Sequence, residues 1–62
     1  MTRAELLTKA AGKLTEQARD LKDAHSVQGD WFVNTPEDMR ARVEHDELIE
    51  LSAGLLAMAN IQ

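Results

Sequence analysis

Residues 2–25 read TRAELLTKAAGKLTEQARDLKDAH, and their periodicity decides the fold. Small and large apolar residues alternate at steps of three and four: Ala4, Leu7, Ala11, Leu14, Ala18, Leu21, then His25. That spacing gathers them on one stripe of an α-helix, a heptad seam with alanine at one position and leucine at the other. A methyl side chain lets two helix axes approach more closely than facing leucines permit, so the seam predicts a tight antiparallel partner helix. Thr2 stands as an N-cap with Glu5 three residues on, the capping-box spacing, and the first helix is expected over about 3–25. Glu5 with Lys9 and Arg19 with Asp23 are i,i+4 pairs on the outer face, worth only tenths of a kcal/mol. Gly12 costs about 1 kcal/mol relative to Ala inside a helix; close packing or tolerated weakness is its expected meaning.

The period then breaks. Ser26, Gln28, Gly29 and Asp30 precede Trp31, Phe32, Val33 and Asn34, a connection expected over about 26–35. Thr35-Pro36-Glu37-Asp38 restarts a helix: threonine as N-cap, proline at the first helical position where its missing N–H costs nothing, and carboxylates at the positive end of the dipole. The second helix is expected over about 36–60. Its first half is charged, with Met39, Ala41 and Val43 as apolar exceptions. Its second half is apolar on most sides, and a seam through Leu48, Leu51, Leu55 and Met58 is expected to face the first helix. Ile49, Leu56 and Ile61 then have no partner inside one hairpin.

These elements predict an all-α fold, a single domain over 1–62 built as a two-helix antiparallel hairpin. Sixty-two residues lie near the size at which one chain struggles to enclose a core. The absence of cysteine removes disulfides and thiolate metal sites as compensation. Dimerisation into a four-helix bundle is the expected remedy, with Leu48, Ile49, Leu51, Leu55, Leu56 and Met58 as the expected dimer interface. The alternative use of that surface is a groove for another protein.

Charge limits the function classes. The chain carries −4 overall, against the clustered Lys and Arg that phosphate binding requires. Residues 1–24 carry five basic and four acidic side chains, whereas residues 35–62 carry two basic and six acidic, so the second half presents an acidic face. The start, Met1-Thr2-Arg3-Ala4-Glu5, is unlike a secretory signal. The longest uncharged stretch, Leu51 to Gln62, is far short of the roughly 20 residues of a spanning helix. A soluble cytoplasmic protein without membrane contact is expected.

No residue pattern points to catalysis, and no enzyme is expected. Ser26 and Ser52 have no His and carboxylate partners by spacing, and neither a Gly-rich phosphate loop nor a nucleophilic cysteine is present. No cofactor and no metal are expected. His45 has Arg42 three before it, Leu48 three after and Ile49 four after, which is not a helical ligand set; with Glu44, Asp46, Glu47 and Glu50 it reads as a solvated charged face. His25 continues the first seam and suits the negative end of the helix dipole. Trp31, a residue type common in interface hot spots, and Phe32 are the only aromatics. One is expected to cap the bundle end against Leu21, Met39 or Val43.

The expected function is a non-enzymatic protein–protein interaction module: a small acidic homodimeric regulator or adaptor, of the kind found among phage and plasmid accessory proteins. Trp31, Phe32, Glu44 and Glu47 are the expected contacts to an unidentified protein partner. One alternative is a nucleic-acid-associated dimer using Arg3, Lys9, Lys13, Arg19 and Lys22 of the first helix, although Glu16, Asp20 and Asp23 interleave with them. A reading in which the acidic stripe imitates a phosphate backbone, and one in which the apolar end of the second helix docks a structural subunit into a larger assembly, complete the set.

Overall fold

The structure, a computed structural model, describes residues 1–61. Helix α1 spans Arg3–Ala24 and helix α2 spans Pro36–Ala59. Between them lie two short antiparallel strands, β1 (Ser26–Val27) and β2 (Asp30–Trp31), paired Ser26 to Trp31 and Val27 to Asp30. The molecule is a rod of 44 × 15 × 14 Å. Among the described residues no helix is long and apolar enough to cross a membrane.

Local chemistry sets each boundary. Thr2 caps α1 by accepting the Glu5 N–H at 3.1 Å. Thr35 caps α2 by accepting the Asp38 N–H at 3.2 Å, with Pro36 opening the helix. His25 ends α1, its N–H bonded to the carbonyls of Leu21 and Lys22. Gln28 at φ 53° and Gly29 at φ 85° then form a two-residue turn with both residues left-handed, the geometry whose twist matches two paired strands. These strands go beyond the irregular connection expected over 26–35, since Gln-Gly is a weaker hairpin signal than Asn-Gly.

The helices pack antiparallel along a heptad seam. Ser52 Oγ donates to the Ala11 carbonyl at 2.9 Å, and His25 Nδ1 lies 2.9 Å from Asp38 Oδ1. Seven residues from each of these layers, Ala18 comes opposite His45. Among the described residues the buried ones are Ala11 and Ala18 of α1 and Ala41 and Ser52 of α2. Leu7, Leu14 and Leu21 of α1 and Leu48 and Leu55 of α2 flank them half-buried.

This corrects the expected α2 seam. Leu48 and Leu55 do face α1, but between them stands Ser52, 4% exposed, while Leu51 and Met58 are 58% and 44% exposed. The reason lies in α1: alanines at every first heptad position bring the axes close, and only small or flat groups fit opposite them. Serine pays no penalty for burial there, since its hydroxyl is bonded. Gly12 is not explained by close packing, because a Cβ placed on it would meet nothing within 4 Å. No large side chain is fully buried anywhere among the described residues.

Candidate functional site

Seven-residue spacing from the seam residues sorts the rest of α2 onto two flanks. On one flank, Leu51 and Met58 stand beside Leu48 and Leu55 and, with Leu14 of α1 and Gly54, line an open groove of about 510 Å³. Glu47 and Glu50 form its rim. Toward the loop the groove continues between Gln17, Asp20, Leu21 and Ala24 of α1 and Glu44 and Leu48 of α2. It ends beside His25, Glu37, Arg40 and Ala41. The apolar lining is richest at the open end of the hairpin and gives way to charged groups toward the loop, with Glu37, Glu44, Glu47 and Glu50 along the α2 side.

Ile49 and Leu56 lie on the opposite flank of α2, on the same side of the seam as Arg42, and both are exposed. The six residues expected to form one interface are thus divided: Leu48, Leu51, Leu55 and Met58 share the groove, and Ile49 and Leu56 do not. Ile61 is exposed beyond the end of α2. A hydropathy count does not reveal this division, but Ser52, His45 and Asp38 at intervals of seven carry the signal for it.

At the loop end the polar groups are paired in sequence. Asp38 Oδ1 accepts from His25 Nδ1–H, and Asp38 Oδ2 accepts from the Thr35 hydroxyl at 3.0 Å. The hydrogen bond from His25, then that from Thr35, holds the Asp38 carboxyl below its ordinary pKa, because both favour the ionised form. A carboxylate has no proton to give, so Nδ1 of His25 carries the hydrogen. The same chain of bonds anchors the connection, since the Phe32 N–H donates to the His25 carbonyl at 2.9 Å.

Of the residues against which an aromatic ring was expected to cap the bundle end, Met39 and Val43 are exposed and Leu21 is half-buried; Trp31 is half-buried as well. It packs on the His45 ring, centroids 5.1 Å apart and planes at 69°, an edge-to-face contact. His45 correspondingly leaves the solvated charged face expected for it: it is half-buried in the seam, with Nδ1 3.1 Å from Asp46 Oδ1. Alanine at position 18 leaves the room that the imidazole fills. Phe32 is 37% exposed in the connection, and its neighbour Val33 is exposed too. Trp31 and Phe32 sit together at the loop end, whereas Glu44 and Glu47 lie along the groove.

Ser52 Oγ and Thr15 Oγ1 lie 2.8 Å apart, and both reach the Ala11 carbonyl. Two protons thus serve three contacts, and neither hydroxyl has a base beside it. Among the described residues no group of three His, Asp or Glu side chains could hold a metal ion. Comparison with protein-family models, curated proteins and solved structures returns no match.

Proposed function

We propose that the chain is a non-enzymatic protein–protein interaction module, a small acidic regulator or adaptor that works in the cytoplasm as a homodimer of hairpins closed into a four-helix bundle. The groove carries this reading. A compact protein of 6.9 kDa exposes about 4,000 Å², whereas this chain exposes 4844 Å². The excess, about 850 Å², is close to the roughly 800 Å² that each partner surrenders at a standard interface. The exposed surface includes Leu51 and Met58 on the wall of an already apolar groove, and a second copy of the same face would cover both.

With the groove closed, the loop end still offers a surface for a different protein. Trp31 offers a ring held by His45, and Phe32 an exposed one in a segment anchored by hydrogen bonds. Rigid aromatic groups of this kind lose little entropy on contact.

Sedimentation equilibrium of the pure protein tests the dimer. The expected mass is that of two chains, and Leu51→Glu is expected to shift it toward one while helicity is retained. Two leucines per dimer at about 1.5–3 kcal/mol each correspond to a Kd raised by at least two orders of magnitude. A folded single chain at all concentrations would overturn the reading.

A further inference from the structure

We infer that the second copy packs on the groove with its loop at the same end, its α2 lying on this chain's α1, so that Lys13 of each chain meets Glu47 and Glu50 of the other. The inference rests on the homodimer reading and fixes its geometry. A flank that faces its own copy across a twofold axis has two choices. An axis along the rod sets the loops side by side and stacks α1 on the other chain's α2. An axis across the rod sends the loops to opposite ends and stacks α1 on α1 and α2 on α2.

Charge separates the two. Helix α1 carries five basic and four acidic side chains, and α2 carries two basic and six acidic. Loops apart therefore lays one strongly acidic helix on another, with the groove's own rim, Glu47 and Glu50, on the apposed helices. Loops together lays the acidic helix on the slightly basic one. Like charges brought together at an interface select against an arrangement more than matched charges strengthen one.

The axial fit follows without adjustment, because a twofold axis along the rod leaves no freedom to slide. The bond from Ser52 to the Ala11 carbonyl fixes the level of α2 against α1. Two residues further along α1, about 3 Å at 1.5 Å per residue, Lys13 comes level with the second copy's Glu50 and within one turn of its Glu47. Lys13 is exposed and stands one helical turn before Gln17, which lines the groove on the α1 side. The same operation brings Asp20 within one turn of the second copy's Arg40.

Two measurements test it. Lys13→Glu, with helicity checked by circular dichroism, is expected to raise the dimer Kd about tenfold, since two rim ion pairs become repulsions. With loops apart the same change would leave association unaltered or strengthen it, and either result would overturn the inference. The chain has no cysteine, so Asn34→Cys provides a single site for a spin label at the loop. Two labels within about 30 Å, roughly twice the 15 Å width of the rod, are expected. A separation beyond about 40 Å, near the 44 Å length, places the loops at opposite ends and overturns it. Sedimentation of the unmodified chain keeps the two ideas distinct: a monomer removes the dimer, whereas a dimer with distant labels removes only the orientation.

Discussion

Ala18→Leu probes the feature on which the hairpin depends. Ala18 is 0% exposed and lies opposite His45 in the seam, beneath the Trp31 contact. Three added carbon atoms have no cavity to enter, so the helix axes must separate or His45 must leave its place. Overpacking of this kind costs about 1–3 kcal/mol. For a chain of this length the unfolding entropy near 60 °C is about 0.13 kcal/mol/K, so Tm is expected to fall by roughly 8–23 °C. The shift is the same for one chain or two, because the number of sites and the entropy double together. Thermal unfolding followed by helical circular dichroism at fixed chain concentration measures it. Gln17→Leu, one residue away on the exposed groove side, is the control, and it is expected to leave Tm unchanged or higher. A fall of less than about 4 °C for Ala18→Leu would refute the close-approach account of the seam.

Three further outcomes are expected. Asp38 has a pKa lowered by its bonds from His25 and Thr35, so its stabilising effect is complete above its unfolded value, about 3.9, and is lost as pH falls through the lower folded value; Asp38→Asn should remove this acid-sensitive part from a plot of stability against pH. His45→Ala should expose the part of the Trp31 ring that now packs on imidazole, and the emission of this single tryptophan should move to longer wavelength with α-helix content unchanged. The glycines should respond in opposite directions in denaturant titrations: Gly12→Ala gains about 1 kcal/mol because its added methyl enters open space inside a helix, whereas Gly29→Ala loses about 1 kcal/mol because φ is 85° there.

What could be read from the sequence was what depends on local chemistry. Thr2 and Thr35 announce helix starts because their hydroxyls answer backbone N–H groups within three residues, and the α1 seam shows plainly because Ala and Leu alternate without interruption. The pairing of the helices into a hairpin followed from that seam. The α2 register was hidden, since hydropathy ranks Leu51 and Met58 above Ser52 and His45, and burial of a serine is decided by an acceptor on the other helix. Trp31 was hard to place for a related reason: its partner His45 reads as part of a charged run, and only the space above Ala18 brings the two rings together. The groove was visible as surplus leucine, but its one-sidedness required the register.

The polar layers of the seam act together as a detent. If α2 slid by one heptad in one direction, Ser52 could still find a threonine at Thr8, but Asp38 would come to rest against Ala18 and His25 would lose its carboxylate. A slide the other way would park the Ser52 hydroxyl next to the aliphatic stem of Lys22. The leucines would tolerate either displacement, because one leucine replaces another. It is therefore the hydroxyl pair at Thr15 and Ser52 and the His25–Asp38 bond, set two heptads apart along the rod, that hold the hairpin at a single axial setting.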